Sequence, residues 1–149
     1  MHISSKCSIA VHILIFISEY GERNKVTSEL LALSSGCNPV TIRNIMSALK
    51  KDGIIAVKSG TGGASLACSL EEITLLRICQ CVEPDALDKM IGVHQRPSAF
   101  CPVGRNIRLV LAKSYKRIRA DMEASLRSVS MQDIWEDYRH TAAEENRYK

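Results

Sequence analysis

The stretch from Asn38 to Asp52 is the strongest local instruction in this 149-residue chain. Asparagine is among the best helix N-caps, and Pro39 follows at the first helical position, where a missing N–H costs nothing. Ile42, Ile45, Met46 and Leu49 then recur at i, i+3, i+4 and i+7, which gathers them on one helical face. Asp52-Gly53 reads as the stop. The other face holds Thr41, Arg43, Asn44, Ser47, Lys50 and Lys51. Such a helix packs on one side and presents hydrogen-bonding and basic groups on the other.

The flanks give it a context. Upstream, Val26 to Leu33 reads as a short helix with Thr27 as its cap, and residues 34–37 form a turn. Downstream, residues 54–58 are a β-branched strand, residues 59–63 a glycine-rich turn, and residues 64–68 the returning strand. Helix, helix, turn, helix, strand, glycine turn, strand is the order of a winged helix-turn-helix. The predicted fold class is therefore mainly α with a small β-hairpin. A helix from Ser4 or Ser5 to about Tyr20, stopped by Gly21, precedes this unit. Its apolar residues (Ile9, Ala10, Val11, Ile13, Leu14, Ile15, Phe16, Ile17) nearly encircle it, which in so small a protein points to cover by a second chain.

Beyond the hairpin, Ser69 to Glu72 is a capping box, and the helix it opens is expected to run to about Val82. Residues 84–97 are broken by proline, with one helical turn near residues 87–91. A long helical pattern starts at Pro102 or Gly104 and reaches about Val129, and a polar helix follows from Ser130 to about Glu145. The expected organisation is a reading unit over residues 1–68, a connecting helix and sensor loop over 69–101, a long dimerisation helix over 102–129 and a C-terminal helix and tail over 130–149.

Charge agrees with this division. The net +4 is modest, but the excess of basic residues lies in residues 1–66 and 101–149, and residues 67–100 are net acidic. Residues 101–119 contain Arg105, Arg108, Lys113, Lys116, Arg117 and Arg119 and no acid. Clustered basic residues are the footprint of a polyanion partner, although they also serve as a solvated helix face. With 46% apolar and 5% aromatic residues, the chain is expected to build an aliphatic core of about one domain. No apolar run approaches a membrane span of about 18 residues. The short run from Ile9 to Ile17 lacks a cleavage site and is followed by Glu19 and Glu22, so a secretory leader is not expected. Six cysteines without a secretory context are expected to be reduced thiols in a cytoplasm.

The chemistry of the unit follows from duplex geometry. A major groove admits one α-helix, arginine donates bidentately to guanine and asparagine pairs with adenine. Helix N-termini and the hydroxyls beside them hold phosphates, and glycines in the wing allow close approach to the backbone.

These features resemble the Rrf2 family of bacterial winged-helix transcriptional regulators. The carrying segments are Asn38-Pro39-Val40-Thr41-Ile42-Arg43, Leu49-Lys50-Lys51-Asp52-Gly53-Ile54-Ile55, Lys58-Ser59-Gly60-Thr61-Gly62-Gly63-Ala64-Ser65-Leu66, Glu72-Ile73-Thr74-Leu75 and Cys101-Pro102-Val103-Gly104-Arg105-Asn106-Ile107. The resemblance spans roughly residues 1–130 and is closest to the YwnA-type subgroup, whose wing is also Gly-Thr-Gly-Gly-Ala. It implies a cytoplasmic homodimer, held through the 102–129 helix and helix 1, that binds a double-stranded DNA operator as a regulator, in the first instance a repressor. The expected DNA contacts are Thr27, Ser28, Asn38, Val40, Thr41, Arg43, Asn44, Ser47, Lys50 and Lys51, with Lys58, Ser59 and Thr61 in the wing.

Some members of that family hold an iron–sulfur cluster through three cysteines in the loop before the long helix. Here residues 85–101 contain only Cys101, and no C-x-x-C occurs. Cys79 and Cys81, at i and i+2, would point about 200° apart on a helix, so no cluster, metal or other cofactor is expected. Cys101 precedes a helix N-terminus with Arg105 and Arg108 one turn on, an electropositive setting that activates thiols. It is the candidate redox sensor, against the reading of an inert capping residue. Cys7, Cys37, Cys68, Cys79 and Cys81 read as small packing residues, and His12 as a satisfied core or interface histidine. No nucleophile–base pair, metal-ligand spacing or P-loop ending emerges, so an enzyme is not expected. Two other readings stay open: a sensor that responds through Cys101 or a ligand at residues 84–101, and a winged helix that binds protein rather than DNA. The effector is unassigned.

Overall fold

The computed structural model describes residues 5–58, 60 and 62–146. Ser59 and Thr61 of the wing and the candidate cap Ser4 lie outside them. Helix α1 (Ser5–Tyr20) runs through the core, with Ala10, Ile13, Leu14 and Ile17 buried. Helix α2 (Ser28–Ser35) is capped by Thr27, whose hydroxyl accepts the Leu30 amide, and is closed by Gly36 in the left-handed conformation. Helix α3 (Pro39–Lys51) starts at Asn38, whose side chain accepts the Val40 amide, and buries Ile42, Ile45, Met46 and Leu49. The stripe expected from the spacing is the packed face.

Strands β1 (Ile55–Lys58) and β2 (Gly63–Leu66) form an antiparallel hairpin, with Ile55 opposite Leu66 and Lys58 opposite Gly63. The hairpin is docked by the Ala64 amide, which donates to the Val26 carbonyl at 2.9 Å. Gly63, at φ 67°, makes this possible: a Cβ there would lie 2.8 Å from the Val26 nitrogen. The wing is thereby pinned beside the start of α2.

The capping box at Ser69 and Glu72 is present, but it opens only a 3₁₀ turn, Leu70–Glu72. Ile73 and Thr74 are extended, and Thr74 caps a new helix, α4 (Leu75–Val82). The continuous helix expected over this region is therefore broken. The extended pair is held by the far end of the chain: the Leu75 amide donates to Val129, the Met131 amide donates to Ile73 at 2.7 Å, and Thr74 bridges Ser130.

Helix α5 (Ala86–Met90) is short, and α6 (Pro102–Ser128) spans 27 residues, about 40 Å at the α-helical rise. Helix α7 (Met131–Glu145) begins with a Ser130–Asp133 capping box and turns back onto α1 and the 3₁₀ turn, burying Met131 completely. The core is aliphatic throughout: Ile13, Leu14, Leu31, Ile42, Leu49, Ile54, Ile55, Ile73, Ile78 and Met131 are sealed from solvent. No residue of α6 is buried, and Val103, Leu109 and Val110 on it are largely exposed. No helix among the described residues is long and apolar enough to cross a membrane.

Candidate nucleic-acid interface

Helix α3 is positioned by its buried stripe, and that packing determines which side chains face outward. Val40, Arg43, Asn44, Ser47, Lys50 and Lys51 are exposed and Thr41 is half-buried. Successive residues turn by about 100°, so this polar surface covers a wide arc with two flanks.

On the wing flank, Arg43, Ser47 and Lys50 line an open cleft of about 410 Å³, together with Thr27 and Ser28 from the start of α2 and Lys58 from β1. Lys25 also lines it, and its ammonium donates to the Gly60 carbonyl at the wing tip. Lys25 was absent from the sequence-level candidates. The only hint in the sequence is its place two residues before the α2 cap, where a cation is brought beside a helix N-terminus.

On the other flank, Thr41 and Asn44 line a separate hollow of about 160 Å³ with Lys6 of α1 and Val82 of α4. The expected set of contacts is thus divided between two sides of one helix. Lys51 lies exposed in the last turn of α3. Thr27 and Asn38 have their side-chain oxygens occupied in capping the Leu30 and Val40 amides.

The cleft also contains an anion. The Glu29 carboxylate lies 3.6 Å from the Arg43 guanidinium. It is held below the usual carboxylate range, first by its own main-chain amide, then by the Ser28 hydroxyl, with Arg43 contributing. In the free protein Arg43 is therefore tethered over the N-terminal turn of α2 by an exposed ion pair, weak enough for a phosphate or base edge to displace.

The end of α3 is fixed from behind by Arg77 of α4. Its Nε donates to the Asp52 carboxylate and its Nη2 to the Asp52 carbonyl, both at 2.8 Å. The remaining nitrogen, Nη1, points to the Cys68 sulfur at 3.7 Å. This clamp joins the end of α3, the start of β1 and the return of β2.

One cysteine stands where expected and two do not. Cys101 is exposed at the N-cap of α6 and makes no side-chain cap bond. Cys7 and Cys79, read from the sequence as separate packing residues, meet with their Sγ atoms 2.6 Å apart. The residues carry no sign of this in sequence because 72 positions separate them. His12 bonds Ser34 through Nε2 at 2.9 Å, in keeping with a satisfied histidine. Among the described residues no three His, Cys, Asp or Glu side chains come together as a metal site.

Comparison with known proteins gives a consistent picture. The sequence model of the Rrf2 family, described as iron-dependent transcriptional regulator, matches residues 3–137. The chain is 35% identical over 132 residues to YwnA of Bacillus subtilis (strain 168), named as an HTH-type transcriptional regulator; the alignment covers 89% of this chain and 96% of YwnA. Among solved structures, one named as a DNA binding protein is 32% identical, with a TM-score of 0.69 over 87% of this chain and 98% of its own. A transcriptional regulator from Lactobacillus plantarum is 26% identical, with a TM-score of 0.76 over 97% and 99% of the two chains. The segment between α5 and α6 holds one cysteine, Cys101.

Proposed function

Because the chain belongs to the Rrf2 family of DNA-binding transcriptional regulators, we propose that it acts as a homodimeric repressor that reads a near-palindromic operator with α3. The observation that carries this reading is the convergence of Arg43, Ser47 and Lys50 of α3 with Lys58 of the wing and Lys25 on one cleft. In this reading Arg43 and Ser47 contact base edges from the wing side of α3. Asn44 and Thr41 contact them from the other side, and Val40 supplies an apolar contact in the first turn. Lys25, Lys50, Lys51, Lys58 and the Ser28 amide hold phosphates, with Ser59 and Thr61 in the wing. Phosphate contacts set register and affinity, and base contacts set sequence.

The exposed apolar surface of α6 supports the dimer. A helix of this length with no buried residue and with Val103, Leu109, Val110 and Ile118 exposed is not stable against water as a lone surface, and a second copy covers it by two-fold symmetry. Two α3 helices then lie about one duplex turn apart. Repression is the simplest outcome, because a dimer seated in two successive grooves excludes other proteins from the same DNA. Such a regulator works in the cytoplasm, where the chromosome is, and without a resident cluster.

The test is selection of bound fragments from a random duplex pool by the purified protein at physiological salt, followed by titration of the selected site. Arg43→Ala is expected to cost about 1–3 kcal/mol and to relax preference at one base pair in each half-site. Wild-type affinity and preference in that variant would exclude the assigned register of α3.

A further inference from the structure

The thiol pair is the feature that the DNA-binding reading leaves unused. Cys7 lies in the first turns of α1 and Cys79 in the middle of α4, both half-buried. Their sulfur atoms, 2.6 Å apart, are in direct contact. Beside Cys79 a cavity of about 210 Å³ opens between α4, α5 and α6, with Leu87, Met90, Met122 and Leu126 among its walls. Cys79 lines this cavity and Cys7 does not. The cavity is smaller than a drug-sized site and its walls are apolar, so it fits a single ring or a short branched alkyl group.

We propose that Cys79 and Cys7 form a reactive dithiol that takes small apolar hydroperoxides from this cavity and closes to a disulfide joining α1 to α4. In the first step the Cys79 thiolate attacks the terminal oxygen of the hydroperoxide. An S–O bond forms, the O–O bond breaks, and the alkoxide leaves and takes a proton to become the alcohol. Cys79 is now a sulfenic acid, oxidised by two electrons. In the second step the Cys7 sulfur attacks the Cys79 sulfur, the S–S bond forms, and hydroxide leaves with the proton of Cys7 as water. Two thiols and one hydroperoxide thus yield one disulfide, one alcohol and one water.

The division of roles follows from the pair itself. Either thiol can donate in this contact; with Cys7 as the donor, the bond holds the Cys79 thiol below its ordinary range, whereas the same bond and burial push Cys7 up. The sulfur that faces the cavity is therefore the one prepared to attack, and its neighbour retains the proton until the second step. Hydrogen peroxide gains nothing from apolar walls, but a ring or branched alkyl group does.

The chemistry is independent of what the protein binds, and so is its test. Reduced full-length protein is exposed to equimolar cumene hydroperoxide or hydrogen peroxide, quenched with iodoacetamide, and mapped by mass spectrometry. The expected product is a reducible Cys7–Cys79 linked peptide, formed about tenfold or more faster with cumene hydroperoxide. Cys81 shares the peptide of Cys79, so fragment ions assign the linked sulfur. Cys7→Ser is expected to stop at a Cys79 sulfenic acid that dimedone traps. Oxygen on Cys101, Met90 or Met122 while Cys7 and Cys79 are still alkylated would overturn the proposal. Equal rates with the two peroxides would overturn the cavity as the route. Both readouts come from the wild-type protein and do not depend on a variant folding.

Discussion

Arg77 grips Asp52 twice, once at the carboxylate and once at the main-chain carbonyl, each at 2.8 Å. It thereby fixes the end of α3 and the chain's entry into β1 from a helix that takes no part in the cleft. Both side chains are partly exposed, at 35% and 42%, so the clamp is expected to contribute about 1 kcal/mol rather than the worth of a buried pair. Arg77→Ala should lower the unfolding free energy read from urea titration by that amount. Arg77→Lys should recover only part of it, because an ammonium does not reproduce the planar fork. Full recovery by lysine would mean that charge alone matters and that the bidentate geometry is incidental.

Gly63 allows the main chain of the wing to dock on Val26. Alanine in its place meets two costs: a left-handed φ of 67° and a Cβ within 2.8–2.9 Å of the Val26 backbone. The left-handed conformation alone costs about 1–2 kcal/mol. Gly63→Ala should therefore release the Ala64–Val26 bond, and hydrogen exchange at the Ala64 amide should accelerate well before global unfolding does. An unchanged exchange rate would show that the hairpin is held elsewhere.

Glu29 is the one acidic side chain lining the cleft, and it holds Arg43. Removing its charge frees the guanidinium and relieves repulsion of phosphates. Glu29→Gln is expected to tighten DNA binding modestly, because an exposed ion pair is screened by solvent. Lys58→Ala should weaken binding evenly across sequences and reduce the salt slope by about one. Weaker binding by Glu29→Gln would mean that Arg43 must be oriented by the pair before it can read a base.

Exposed apolar residues on α6 should report on assembly. Val110→Glu, at a position 66% exposed in the single chain, costs the isolated protomer little and places a charge in the proposed interface. The expected result is a monomer by light scattering, with secondary structure retained by circular dichroism. A dimer of wild-type affinity would move the interface off this face of α6.

Two capping boxes set an acid limit. Asp133 is held below its ordinary 3.8 by the Ser130 hydroxyl, then by the Ser130 amide, and Glu72 is held below 4.5 by the Ser69 amide, then by its hydroxyl. A carboxyl depressed on folding contributes fully above its unfolded value and ceases to as pH falls through its folded value. These caps should therefore hold steady from neutral pH down to about 4.5 and weaken below it, Glu72 before Asp133. Ser130→Ala should lose helix signal relative to wild type at neutral pH, and the gap should narrow in acid. A gap constant with pH would mean that the carboxylate is not the partner that matters.

How much of this could be read from the residues depends on range. The Asn38 cap, the Ile42–Ile45–Met46–Leu49 stripe, the glycine hairpin and the long helix after Pro102 are written within a few positions of one another. Local hydrogen bonds and the 3.6-residue period turn them directly into structure. The expected helix from Ser69 to Val82 is not one helix, for a reason outside its own segment. Ile73 and Thr74 are drawn out straight by backbone bonds to residues 129–131, which no local pattern reveals.

The same holds for chemistry. The sequence by itself determined that the chain is an aliphatic winged helix with a polar, basic outer face on α3, because each of those properties is a sum of short-range preferences. Only the tertiary structure decided that Thr41 and Asn44 stand apart from Arg43 and Ser47, that Lys25 belongs to the cleft, and that Glu29 tethers Arg43. It alone brought Cys7 to Cys79 across 72 residues. Those outcomes depend on which helices pack against which, and packing is set by the whole buried surface at once rather than by any segment of it.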